Sequence, residues 1–125
     1  MKTPLFKPQT EWLPPTDFPD LRKYDEIAID LETKDPNLNE RMGSGSVVGV
    51  GDVVGISLAT HDWCAYYPIA HEGGGNMDRK MVLDWFQDQM RSPSTKIFHN
   101  AMYDVCWLRA LGIQVNGMIV DTMIA

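Results

Sequence analysis

Glu26-Ile27-Ala28-Ile29-Asp30-Leu31-Glu32 decides how the rest of the chain is read. Its residues alternate at the period of a β-strand, with Ile27, Ile29 and Leu31 on one face and Ala28, Asp30 and Glu32 on the other. Asp30 and Glu32 therefore share a face, roughly 6.6 Å apart along the chain. Two carboxylates on one face repel unless a proton or a cation lies between them. A hard divalent ion held by oxygen ligands, such as Mg²⁺, relieves that repulsion at neutral pH. The bland alternative is a strand running out into solvent, where the charges cost nothing.

A second acidic stretch weighs against the bland alternative. Lys96-Ile-Phe-His99 reads as a short buried strand, and Asn100 stands where a helix cap belongs, its side-chain oxygen facing an open backbone N–H. Val105, Leu108 and Leu111 follow at helical spacing and Gly112 closes the helix. Asp104 lies four residues after Asn100, so the two share a face. Read alone, Asp104 is an acid well placed near a helix N-terminus.

Around these stretches the spacing predicts strands at 25–32, 53–60 and 63–69, a helix at 78–91, a strand at 96–99, a helix at 101–111 and a strand at 117–121. The helix at 78–91 would bury Met81, Val82, Trp85, Phe86 and Met90, with Pro93 closing it. Three early strands followed by alternating helices and strands indicate an α/β sheet of mixed direction. Residues 1–23 hold five of the eight prolines and read as an extended lead-in, pinned by Trp12 and Phe18, before a domain at 24–125.

Ile29-Asp-Leu-Glu-Thr33 resembles the first motif of the DEDD superfamily of 3′–5′ exonucleases, and His99-Asn-Ala-Met-Tyr-Asp104 resembles the second. The form is similar to the proofreading domain of bacteriophage-type family A DNA polymerases. Leu111-Gly-Ile113 and Val120-Asp-Thr-Met-Ile-Ala125 resemble the stretch that follows, so the likeness spans about residues 25–125. It implies a ribonuclease H-like mixed sheet with flanking helices. It also implies hydrolysis of the 3′-terminal phosphodiester of DNA, releasing nucleoside monophosphates, with two Mg²⁺ ions (Mn²⁺ substituting) roughly 4 Å apart. Asp30, Glu32 and Asp104 would be the catalytic metal ligands, and Thr33, Asn100 and Tyr103 would contact the substrate. The implied partners are a single-stranded or frayed DNA 3′ end and a polymerase domain, in the cytoplasm of a cell or of a phage host.

The family's third motif supplies a fourth carboxylate and a Tyr or His, and the chain stops at Ala125 before it. The expectation is a C-terminally incomplete domain that folds marginally and cleaves little or nothing by itself. Two rival readings are an inactive docking or nucleic-acid-binding module and an RNA-trimming relative.

Composition narrows the classes. Hydrophobic residues make up 44% and charged residues 22% of the 125, ordinary for one globular domain. A net charge of −6 argues against a stand-alone nucleic-acid binder, though not against a nuclease whose acids hold cations. No apolar run is long enough for a membrane helix, and the start lacks a signal-peptide core. Cys64 and Cys106 read as reduced packing residues.

Several features are decoys. Gly43, Gly45, Gly49, Gly51 and Gly55 run into a strand rather than a helix, so they suggest a hairpin beside the acids and not a dinucleotide loop. Gly73-Gly-Gly75 reads as a linker, and His61, His71 and His99 lack paired metal spacing. Pro36 and Leu38 stand near the place of the family's base-wedging side chain without matching it. Asp121 is expected to end the last strand and cap the next helix.

Overall fold

Strand β1 (Glu26–Lys34) is the centre of a five-stranded sheet in the computed structural model, which describes residues 13–36, 45 and 50–123. The other strands are β2 (Asp52–Ala59), β3 (Cys64–Pro68), β4 (Thr95–Phe98) and β5 (Ile119–Asp121). Helix α1 (Arg79–Met90) precedes β4, and α2 (Ala101–Ala110) joins β4 to β5. The spatial order is β3-β2-β1-β4-β5. Strand β2 is antiparallel to both neighbours, while β1, β4 and β5 run parallel. This mixed α/β sheet with flanking helices is the arrangement expected of a ribonuclease H-like fold.

The alternation in β1 sorts its side chains as its sequence dictates. Ile27, Ile29 and Leu31 are buried, whereas Asp30 and Glu32 are exposed. Cross-strand pairing extends the inner face, since Ile29 lies opposite Leu58 and Leu31 opposite Ile56. Val82, Phe86 and Met90 of α1 and Ala101, Trp107 and Leu108 of α2 join the same core. Each such aliphatic or aromatic side chain contributes about 1.5–3 kcal/mol on burial. The outer face carries Ala28, Asp30 and Glu32 opposite Ala59, Ser57 and Gly55.

Both helices turn slightly from the faces their sequences suggest. Met81 is 56% exposed, and Gln89 is buried in its stead. A buried glutamine is tolerable because its Oε1 accepts the Leu21 N–H at 2.7 Å and its Nε2 donates to the Trp85 carbonyl. In α2 the buried positions are Ala101, Asp104, Trp107 and Leu108, with Val105 and Leu111 only half-buried. The helix ends in a Schellman motif: Ile113 N–H donates to Leu108 O and Gly112 N–H to Arg109 O, with Gly112 at φ +79°.

The segment before β1 is tied down where it is described. Leu21 is fully buried, Phe18 stacks on Tyr67 and meets Trp85, and Trp85 Nε1 donates to Pro19 O. Trp12, Leu38, Gly43 and Gly49 lie outside the described residues. Among the described residues, no helix is long and apolar enough to cross a membrane. Cys64 and Cys106 are free thiols, and Cys64 is exposed rather than packed because it begins β3 on the outer face.

Candidate active site

The site begins where two parallel strands part. Strands β1 and β4 pair only from Glu26–Thr95 to Ala28–Ile97, because the chain leaves β4 at Phe98 and turns into α2. Such a crevice at the carboxyl ends of neighbouring strands is where open α/β sheets place their ligands. The Leu31 N–H, left without a strand partner on that side, is taken by the Asp104 carboxylate.

Asp104 is the most unusual group in the molecule. It is 4% exposed, and its Oδ2 has no hydrogen-bond partner. Burial first, and then the negative charge of Asp30, push its pKa up to about 7, although the Leu31 N–H pulls the other way. Thus the fold brings Asp104 and Asp30 together at a like-charge cost. An orphaned buried carboxylate oxygen beside a second carboxylate fits a hard cation with oxygen ligands, as Mg²⁺ requires. Among the described residues, however, no three His, Cys, Asp or Glu side chains stand close enough to cage an ion by themselves.

Glu32 is held from the β3 side. Its Oε2 accepts the Tyr66 hydroxyl at 2.9 Å. Tyr66 can reach it because Gly55 lies between, opposite Glu32 in the register: a β-carbon there would stand 1.8 Å from the Tyr66 hydroxyl oxygen. The same hydroxyl meets His71 Nε2. Desolvation and the Glu32 charge raise the Tyr66 pKa, so it stays a hydroxyl donor.

The turn into α2 differs from its sequence expectation. Asn100 adopts the left-handed conformation (φ 64°, ψ 64°), and its side chain makes no capping bond. Instead the Asp121 carboxylate of β5 accepts the N–H groups of Asn100 and Ala101, each at 2.9 Å. So Asp121 caps the preceding helix, while also taking the Met123 N–H in its own turn. These N–H groups, that of Ala101 foremost, hold its carboxyl below the usual range. Asparagine tolerates the left-handed region better than most residues, which explains its presence at this corner.

Thr33 and Tyr103 meet each other. The Tyr103 hydroxyl lies 2.8 Å from Thr33 Oγ1 and donates to Asp35 Oδ2 at 2.9 Å. Asp35 Oδ1 in turn accepts the Gly45 N–H. This links the end of β1 to α2 and to the glycine-rich stretch. His99 Nδ1 lies 3.0 Å from Thr122 Oγ1, and Pro36 is exposed. An outer-face groove of about 600 Å³, floored by Ala28, Ser57 and Ala59, reaches Asp30 and Tyr66.

Tyr66, His71 and Asp35 were not singled out as site residues from the sequence. Only the pairing of β3 with β2, and of β2 with β1, places Tyr66 on the face of Glu32. The strand alternation gives its side but not its reach.

Comparison with known proteins adds a second line. Over 120 residues the chain is 32% identical to a DNA-directed DNA polymerase of Pseudomonas phage M6, covering 91% of this chain and 18% of that protein. The chain is homologous to a stretch of DNA polymerases. Over 76 residues it is 36% identical to DNA polymerase I of Chloroflexus aurantiacus, covering 59% of this chain and 8% of that protein. It therefore spans less than a fifth of the length of the curated relatives it matches. A family B DNA polymerase from Pyrobaculum calidifontis superposes with a TM-score of 0.47 at 18% identity, over 78% of this chain and 15% of that one. No family model matches the chain.

Proposed function

We propose that this chain is part of the 3′–5′ exonuclease domain of a DNA polymerase. Its reaction is hydrolysis of the 3′-terminal phosphodiester, releasing nucleoside monophosphates. The observation that supports this reading most is the buried Asp104 carboxylate, with one unpartnered oxygen, lying beside Asp30 at the end of two strands. A structural carboxylate would be expected to fill both oxygens, whereas a metal ligand leaves one open.

Asp30 and Asp104 would hold the divalent ions, with Glu32 as the third carboxylate. Two bound Mg²⁺ ions, or Mn²⁺ in their place, would stabilise the charge on attacking and leaving oxygens. Burial of Asp104 keeps water from one side of the pocket and strengthens its attraction for a cation. A bound cation would favour the ionised form of Asp104. The exposed Asn100 amide, unused in capping, would contact the sugar or base of the last nucleotide. Thr33 and Tyr103, joined by their shared bond, would contact the substrate beside it.

The test is single-turnover shortening of a 5′-labelled single-stranded DNA by excess chain in Mn²⁺. The expected product is a slow one-nucleotide ladder from the 3′ end, abolished by chelation and by Asp30→Ala. Internal cuts, or shortening indifferent to Asp30→Ala, would overturn the assignment.

A further inference from the structure

We propose that Tyr66 is a positioning residue for Glu32, seated over Gly55 and backed by His71. The inference rests on the metal-dependent reading above and concerns how its third carboxylate is aimed. Glu32 projects from an exposed strand face, where a glutamate has three freely rotating torsions. A metal ligand in that state would lose its rotational freedom at each binding event. The Tyr66 hydroxyl fixes one oxygen, Oε2, at 2.9 Å and leaves Oε1 outside that bond.

The supports of Tyr66 explain five other residues. Gly55 is the position over which the ring lies, and any side chain there would displace the hydroxyl. His71 also meets that hydroxyl through Nε2 and packs edge-on against the ring. His71 is itself fixed by a reciprocal pair: its N–H donates to Asn76 Oδ1 at 2.7 Å, and Asn76 Nδ2 donates to its carbonyl at 2.9 Å. Gly74 (φ +86°) and Gly75 (φ +73°) reverse the chain so that Asn76 can return to His71. The triple-glycine loop thus builds a base for Tyr66 and is not a passive linker.

Mn²⁺ affinity of the whole chain, measured by electron paramagnetic resonance, tests the role without relying on cleavage. Tyr66→Phe, which removes only the hydroxyl, is expected to weaken binding about 10-fold, the usual effect of losing a partner behind a ligand. Gly55→Ala keeps the hydroxyl but crowds its position and should reproduce part of that loss. In a Glu32→Ala background, Tyr66→Phe should have no further effect, because its action runs through Glu32. Unchanged or tighter binding by Tyr66→Phe would overturn the proposal, as would a full additional loss in the double variant. Asp30→Asn separates the two levels: unchanged Mn²⁺ affinity there would sink the metal reading itself.

Discussion

Asp104 accepts the Leu31 N–H with its carboxylate while Asp30, one residue earlier in the same strand, repels it. The metal-free fold therefore holds Asp104 partly protonated at neutral pH. Its folded pKa of about 7 lies well above the 3.8 of a free aspartate, so the stability linked to it is complete below about pH 4. That stability is lost as pH rises through 7. Asp104→Asn keeps an acceptor for Leu31 and removes the charge. Urea unfolding in chelator is expected to show the variant more stable than the parent by about 2 kcal/mol at pH 8, the difference vanishing toward pH 4. The same variant should lose metal binding, the usual conflict between a stable core and a working site.

Tyr103 joins the end of β1 to α2 through Thr33 and Asp35. Tyr103→Phe removes the hydroxyl shared by both and leaves the half-buried ring in place. The expected cost is about 1 kcal/mol in a denaturant midpoint experiment, typical of one hydrogen bond. Amide exchange should quicken at Thr33 and Asp35 more than in the sheet centre. A loss confined to global stability, with no local change, would contradict the link.

How much of this was legible in the sequence depended on range. Strand β1 and its two faces followed from a seven-residue alternation, and α1 and α2 began and ended within a residue or two of their caps. The Asp30–Asp104 proximity was not in any local pattern; it came through likeness of ordered motifs. Asn100 misled because a capping residue type does not fix its own φ, and Asp121 was able to supply the cap from another strand. Met81 and Gln89 exchanged places because a buried glutamine found partners in Leu21 and Trp85. Tyr66 stayed hidden since its contact with Glu32 spans three strands.

Lys96 is fully buried on β4, where Nζ donates to the carbonyls of Ser92, Ser94 (2.9 Å) and Asn116 (2.8 Å). Burial pulls its pKa down, yet three carbonyls from two loops depend on it. Lys96→Met removes a costly buried charge and at the same time orphans those acceptors. The second effect is the larger, because each unsatisfied buried carbonyl costs about 1–3 kcal/mol. The variant is expected to lose about 2–4 kcal/mol in urea unfolding. Neutral or increased stability would show the carbonyls are satisfied by water.

A divalent-ion site between β1 and α2 is tested most directly by a Mn²⁺ titration of the isotope-labelled chain followed by NMR. Paramagnetic broadening should appear first at the amides of Asp30, Leu31, Glu32 and Asp104, and Asp104→Asn should remove it from all four together. Broadening centred elsewhere, or unchanged by Asp104→Asn, would contradict a divalent-ion site shared by β1 and α2.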